Sequence, residues 1–284
     1  MVKNILELMI NYILGKKGFV AKEIRKYLKK KNKKGNFIGS NDIDLTQKKF
    51  KKKININPNS NIIFLSAITP DKGKDLLTFD KNLSMLINFL NHINLENISK
   101  FIYISSDAIY SLKDQKISDT TKPNPDDLYG LMHLTRENIL KKVIEPRKLL
   151  ILRPTIMYGL GDTHNSYGPN RFINQLKQKQ KIKLFGDGGD IRDHLYIDDL
   201  VKIIHKSCYK KDLFGEFIVA SQKSFRFLDV AKKILFLKNK PQNLIEFIKV
   251  NNKITKRFFS NLRIGKVLNL KFTKLSNGLR KYVS

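Results

Sequence analysis

Residues 100–110 read KFIYISSDAIY and residues 126–133 read DDLYGLMH, and the fold turns on how these two pieces are joined. The first is an apolar run that ends in Ser105-Ser106-Asp107, the pattern of a buried strand turning polar at its end. After a polar loop holding Pro123 and Pro125, the second piece opens a helix with Tyr129 near its start. A hydroxyl and a phenol are thereby placed at the carboxyl edge of a sheet, where open α/β sheets bind their ligands.

The flanking sequence alternates strand and helix. Residues 11–14 read as a short buried strand stopped by Gly15. Val20, Ile24, Tyr27 and Leu28 keep a helical spacing that Gly35 ends, and residues 36–39 give a second strand. Residues 42–45 form a turn, and the lysine-rich segment after it is expected to be a short surface helix. NIIFLSA at 61–67 suits a central parallel strand, residues 74–92 a long helix, residues 127 to about 143 another, and residues 149–152 a strand. This alternation predicts an α/β fold with a doubly wound parallel sheet, the Rossmann arrangement.

After Arg153-Pro154 the pattern loosens. GLGDTHNSYGPN at 159–170 is a long polar loop, and such loops are often functional. A helix at 171–178, a strand at 182–184, the turn GDGGD at 186–190 and a helix at 198–209 follow. Short strands (216–219, 245–250) and helices (224–236, 273–281) then look like a smaller lobe. The expected division is residues 9–160 as the main domain and residues 161–284 as a lobe interleaved with the last sheet strands.

Composition narrows the class. The 284 residues are 41% hydrophobic, enough for one large core or a domain with a small lobe. One cysteine, Cys208, cannot close an internal disulfide, which fits a reducing compartment, and core packing is its expected role. MVKNILELMINYILG superficially resembles a secretory signal, but Glu7 and Asn11 interrupt the run and no small-residue cleavage site follows. With no run of roughly 18 apolar residues to span a membrane, a cytoplasmic protein is expected.

The 55 Lys+Arg against 25 Asp+Glu give a formal charge of +30. The lysines are spread along the whole chain, and the densest runs fall at a helix end and in a polar connection. A lysine at a helix C-terminus opposes the negative end of the macrodipole, so a solvated face accounts for those runs. The balance points to an anionic substrate or cofactor rather than to nucleic acid.

Between the first strand and helix lies Gly15-Lys16-Lys17-Gly18-Phe19-Val20-Ala21. Glycine at 15 permits a tight turn, and glycine at 18 lets a pyrophosphate approach the helix N-terminus, where free N–H groups favour anions. Two glycines in a strand-turn-helix also occur without any ligand. An acid about 20 residues further on commonly meets the adenosine ribose. Here the strand tip is Ser40-Asn41, and the acid arrives at Asp42. Lys17 is placed to meet a 2′-phosphate, tilting the cofactor from NAD toward NADP, or is one more solvated lysine.

Tyr129 and His133, four apart on a helix, share a face, and Ser106 lies at a strand end that can point toward it. A phenol with pKa near 10 is a poor base at neutral pH, and a nearby cation favours its ionised form. His92, His194 and His205 show no ligand spacing with cysteines or carboxylates, so no metal is expected. His164, in the 159–170 loop, is either a substrate contact or a solvent-exposed loop residue.

Taken together, these motifs resemble the extended short-chain dehydrogenase/reductases, the NAD-dependent epimerase/dehydratase group that acts on nucleotide sugars. The resemblance runs from about residue 9 to residue 282. It rests on GKKGFVA at 15–21, NIIFLSA at 61–67, Asn82, FIYISSDAIY at 101–110, YGLMH at 129–133, LRPTIMYG at 152–159, NRF at 170–172 and RDHLYIDD at 192–199. RFFSNLRI and SNGLRKY in the C-terminal part match the family's tail.

The resemblance implies that Ser106 hydrogen-bonds a sugar oxygen, that Tyr129 exchanges its proton, and that hydride moves between sugar carbon and nicotinamide. It implies a cofactor site of Gly15, Lys17, Gly18, Phe19, Val20, Asp44, Leu45, Leu65, Ser66, Ala67, Asn82, Tyr129, His133 and Pro154. Asp44 and Leu45 would flank the adenine, and Pro154 would lie near the nicotinamide. Asn170 and Arg192 would hold the substrate diphosphate, unless Arg192 pairs with Asp193 or Asp198. The partner implied is a nucleotide-diphosphate sugar, with a homodimer as the expected assembly.

One position departs. The family has lysine four residues after the tyrosine, and this chain has His133. Histidine is shorter and, at its ordinary pKa, about a quarter charged at pH 7. Either the site turns over with a histidine variant, or it turns over slowly, or the protein binds dinucleotide through a basic interaction surface without catalysis. The sugar, the nucleotide base and the choice among epimerisation, dehydration and reduction stay open.

Overall fold

The computed structural model describes residues 10–50, 53–162, 168–251 and 254–283. The chain divides into two compact units. One comprises the chain up to Ile109 with Pro123–Arg153 and Val201–Phe217; the other comprises Tyr110–Lys122, Pro154–Leu200 and the chain from Ile218 onward.

The first unit is built on β1 (Asn11–Leu14), α1 (Phe19–Lys30), β2 (Asn36–Ile38), β3 (Ser60–Phe64), α2 (Leu76–Asn91), β4 (Ile98–Ile104), α3 (Leu128–Val143), β5 (Leu149–Pro154), α4 (Ile197–Tyr209) and β6 (Gly215–Val219). The strands form one six-stranded sheet in the order β6-β5-β4-β3-β1-β2. β1 is parallel to both β2 and β3, β3 to β4, and β4 to β5. Every residue of β1 and β3 is buried, as expected of parallel strands covered on both faces. The order reverses between β1 and β3, because the chain leaves β1 toward β2 and returns on the other side. That reversal is a switch point of the kind at which α/β sheets bind ligands.

Helix starts follow local chemistry. The Asp75 carboxylate accepts from the Thr78 N–H at 2.8 Å at the start of α2, and Asp127 accepts from the Gly130 N–H at 2.8 Å at the start of α3. Phe64, Phe89, Phe101 and Tyr103 form the aromatic centre of a core cluster lying between strands and helices.

The short surface helix expected after residue 45 does not form among the described residues: residues 45–49 are turn and bend, and no helix is described between β2 and β3. Asp44 accepts from both the Thr46 N–H (3.0 Å) and its hydroxyl (2.7 Å), which favours a turn over a helix. Ile54 and Ile56, two apart, are both buried in the core cluster, the spacing of an extended segment.

In the second unit Ile191–Tyr196 is the middle of a three-stranded sheet, parallel to Ile156–Tyr158 and antiparallel to Ser224–Arg226. Ile182–Phe185 pairs with Ile245–Ile248, and Lys116–Ile117 with Phe258–Phe259. The strand at Ile191–Tyr196 goes beyond the sequence reading, and so does the split of residues 224–236 into a strand and the helix Phe227–Leu237. Among the described residues no helix is long and apolar enough to cross a membrane. Cys208 is buried within α4, and burial pushes its thiol up to about 12.

Candidate active site

The turn after β1 is held from both sides. The Gly15 and Lys16 N–H groups donate to the Ile38 carbonyl at 2.9 and 3.1 Å, and the Gly18 N–H donates to Gly15 O at 2.8 Å. Gly15 has φ +103°, and a Cβ there would lie 3.2 Å from Leu65 C and Ser66 N, so only glycine suits the turn against the end of β3. Gly18 caps α1 without any side-chain hydrogen bond, and no acidic residue occupies the first turn. The helix therefore presents unsatisfied N–H groups and the positive end of its dipole. Phe19 is buried, so its side chain belongs to the core while its backbone N–H lies at the helix start. Val20 is half-buried.

The two lysines of this turn lean on the tip of β2. Lys17 Nζ donates to Asn41 Oδ1 at 2.8 Å, and Lys16 Nζ lies 3.1 Å from Asp42, whose carboxylate also accepts from the Gly39 N–H at 3.0 Å. Asp42 is thereby folded back to the strand tip despite its later position in sequence. Asp44 stays below the usual carboxylate range, chiefly through the Thr46 hydroxyl. Leu45 is buried, and its carbonyl accepts from Asn88 at 3.0 Å.

Beyond β3, Asn82 clamps the backbone of Ile68 in both directions, accepting from its N–H at 2.8 Å and donating to its carbonyl at 3.1 Å. Leu65, Ser66 and Ala67 are half-buried between these fixed points. Arg136, fully buried on α3, donates to the Ser66 carbonyl at 2.8 Å and through Nε to the Asn82 carbonyl at 3.0 Å. A glycine cradle that a Cβ would fill, beside an uncapped helix start in a basic turn, fits a dinucleotide pyrophosphate.

The end of β4 carries the second cluster. The Ser105 hydroxyl donates to Glu137 at 2.6 Å, and Ser106 Oγ accepts from the Ala108 N–H at 3.1 Å. A Cβ on Gly130 would lie 2.2 Å from the Ala108 carbonyl, so the start of α3 is seated directly on the turn that follows Ser106. Tyr129, beside that glycine, is half-buried, and its ring meets His133 edge to face at 4.6 Å and 87°. His133 Nδ1 lies 2.7 Å from the Tyr103 hydroxyl. Its Nε2 is buried and has no hydrogen-bond partner among the described residues. Burial, reinforced by Arg136, holds the imidazole well below its ordinary pKa. The expected charge of about a quarter at pH 7 moves with it toward the neutral ring.

In the second unit Asn170 is buried, accepting from the Gly159 N–H at 3.2 Å and donating to the Met157 carbonyl at 3.3 Å and to Asp162. Arg192 donates to the carbonyls of Ile191 at 2.9 Å and Thr255 at 3.0 Å. Pro154 is buried at the end of β5. His164 lies outside the described residues. Among the described residues no three His, Cys, Asp or Glu side chains are grouped to hold a metal ion.

Four residues that the sequence reading did not single out shape the first unit's cluster: Tyr103, Arg136, Glu137 and Arg153. Glu137 lies four residues beyond His133 and eight beyond Tyr129, a helical repeat that marks one face.

The sequence profile of the NAD-dependent epimerase/dehydratase family matches residues 11–219. The chain belongs to that family. A Bacillus subtilis family relative, an uncharacterized UDP-glucose epimerase, is 31% identical over 137 residues, covering 48% of this chain and 43% of its own. The dTDP-D-glucose 4,6-dehydratase of Dictyostelium discoideum is 27% identical over 220 residues, covering 71% and 49%. The matched stretch thus spans about half the length of these two relatives. The ADP-L-glycero-D-manno-heptose-6-epimerase of Fusobacterium nucleatum is 24% identical over 247 residues, covering 76% and 73%. In fold, the chain is similar to RMD of Pseudomonas aeruginosa complexed with NADPH (TM-score 0.81, 20% identity, 97% of each chain). It is likewise similar to Thermus thermophilus UDP-glucose 4-epimerase complexed with NAD (TM-score 0.79, 17% identity, 97% and 98%).

Proposed function

We propose that this chain is an NAD(P)-dependent enzyme that epimerises, dehydrates or reduces a nucleotide-diphosphate sugar, with Tyr129 as the acid-base group. The observation that carries the reading is the seating of Gly130 on Ala108. It fastens the turn of Ser106 to the residue next to Tyr129, within the unit that also holds the Gly15–Gly18 cradle. Relatives named as epimerases and dehydratases of UDP-, dTDP- and ADP-sugars support the substrate class.

Gly15, Gly18 and the start of α1 would receive the pyrophosphate, with Leu65, Ser66 and Ala67 along the cofactor and Asp44 and Leu45 beside the adenine. The nicotinamide so held would supply a hydride acceptor and donor for a sugar carbon. Ser106 orients the sugar hydroxyl, and Tyr129 removes its proton as the carbonyl forms and restores it on return. Lys17 at the tip of β2 supports a slight preference for NADP, and a clear preference for NAD in measured dissociation constants would overturn that part. The diphosphate contacts proposed for Asn170 and Arg192 have less support, because both side chains are hydrogen-bonded within their own unit. A cytoplasmic setting accords with a single buried cysteine. A homodimer is proposed as the assembly and is tested by sedimentation.

His133 favours a second reading, a dinucleotide-binding protein with little or no turnover, since a neutral imidazole does not supply the charge of the family lysine. Purified protein incubated with NAD or NADP and a panel of UDP-, dTDP-, GDP- and ADP-sugars separates the two. Absorbance of reduced nicotinamide and NMR of the sugar give the readout. A changed sugar is expected; tight dinucleotide binding with every sugar unchanged overturns the enzyme reading.

A further inference from the structure

We infer that Tyr103 is a positioning residue that fixes His133 with its single ring proton on Nε2, making residue 133 a one-directional hydrogen-bond donor while the permanent charge of the cluster resides on Arg136. The inference rests on the dinucleotide reading only for what the donor meets, and not for the tautomer.

Tyr103 on β4 and Ser105 just past its end, two apart, face α3 together, and they meet His133 and Glu137, four apart on that helix. The phenol of Tyr103 is fully buried, and His133 Nδ1, 2.7 Å away, is its hydrogen-bond partner among the described residues. The phenol proton therefore has His133 Nδ1 as its acceptor, and the imidazole proton is left on Nε2. The opposite tautomer would strand both the buried hydroxyl proton and the Nε2 lone pair, whereas the first leaves only the Nε2–H, and that extra unsatisfied group favours the first by roughly tenfold.

The consequence is an N–H on Nε2 that is shielded from water and has no acceptor among the described residues. Buried donors are rarely left so, and a hydroxyl of the cofactor's ribose is the class of acceptor that would complete it. Arg136 meanwhile directs its fork at the carbonyls of Ser66 and Asn82, the segments flanking the proposed cofactor path. The charge that the family places at residue 133 is here one helical turn further on, on a guanidinium bonded to those two carbonyls.

Nitrogen-15 NMR of the full chain labelled at histidine, recorded at neutral pH without and with NAD or NADP, tests this. The expected His133 signal is that of a neutral ring protonated at Nε2, with the Nε2–H resonance moving when dinucleotide binds. Tyr103→Phe, which removes the proton given to Nδ1, should turn that signal into a mixture of tautomers and weaken dinucleotide binding about 2- to 10-fold. An Nδ1-protonated ring or an imidazolium in the wild-type chain overturns the inference even if Tyr103→Phe fails to fold. An Nε2–H resonance unmoved by saturating dinucleotide overturns the donor role. Absence of any dinucleotide binding would instead remove the proposed function and leave the tautomer assignment to stand or fall on its own signal.

Discussion

Glu137 and Arg153 form a two-point ion pair, 2.6 Å between Oε2 and Nη2 and 3.0 Å between Oε1 and Nε, with both side chains withdrawn from water. Ser105 completes the carboxylate. The pair ties the middle of α3 to the end of β5 and, through Ser105, to the end of β4 just before Ser106. Glu137→Ala removes a buried carboxylate that Arg153 and Ser105 both bond and should cost about 3–5 kcal/mol of stability. Lys141→Ala, which removes an exposed partner of Glu216, should cost at most about 1 kcal/mol. Urea unfolding of both variants makes the comparison.

Gly130→Ala is a sharper probe of the junction between the strand end and the helix. Alanine would normally stabilise a helix interior by about 1 kcal/mol over glycine. Here the added Cβ meets backbone, the Ala108 carbonyl, at 2.2 Å, and backbone at a helix seat has little room to give. A net loss of roughly 1–3 kcal/mol is expected, with turnover falling more than dinucleotide affinity because the Ser106 turn shifts relative to Tyr129. Equal stability and unchanged kinetics would show that the junction has slack.

His133→Lys restores the family residue in a place that no longer suits it. The new ammonium would lie in the buried cluster beside Arg136, with the Tyr103 hydroxyl as its nearest polar neighbour. Stability should fall by roughly 3–5 kcal/mol, the cost of a buried charge lacking a counter-ion, and the rate should not rise steeply. A large rate gain in a stably folded His133→Lys chain would mean that the histidine enzyme is the slow one.

Much of this architecture is legible in the sequence because its signals are local. Gly15 and Gly18 punctuate a strand and a helix, Asp127 caps the helix that carries Tyr129, and the apolar runs that begin at 61 and 101 form buried strands as far as Phe64 and Ile104. What was not legible depends on residues distant in sequence. His133 is held well below its ordinary pKa by burial and by Arg136, its Nδ1 meets Tyr103, thirty positions earlier, and no spacing rule reveals a strand residue opposite a helix residue. Ile191–Tyr196 hides as a strand because Arg192, Asp193 and His194 break its apolar pattern. Asp193 can be buried there only because Thr155, Ser221 and the Lys223 N–H supply its hydrogen bonds. The lysine-rich stretch after the turn at 42–45 reads as a helix by composition, which does not announce the bonds that Thr46 gives Asp44.

Acid should weaken the fold through buried histidine. Burial lowers His194 to about 4, whereas an unfolded chain protonates histidine near its ordinary 6.5. Between these values the unfolded state binds more protons, so stability is complete above about pH 6.5 and is lost as the pH falls toward 4. The loss is on the order of 3 kcal/mol over that window. His133, also shifted downward, adds to it in the same direction. His194→Phe should flatten the acid limb of a plot of Tm against pH, and an unchanged limb would place the acid sensitivity elsewhere.

Turnover of Tyr129→Phe, measured beside its affinity for NAD and NADP, tests most directly whether the phenol of Tyr129 is the acid-base group. The substitution deletes one hydroxyl from a half-buried ring and leaves the Gly15–Gly18 cradle untouched. The expected result is a fall in kcat of roughly a hundred- to ten-thousandfold with dinucleotide affinity preserved. Turnover equal to that of the wild-type chain would contradict it.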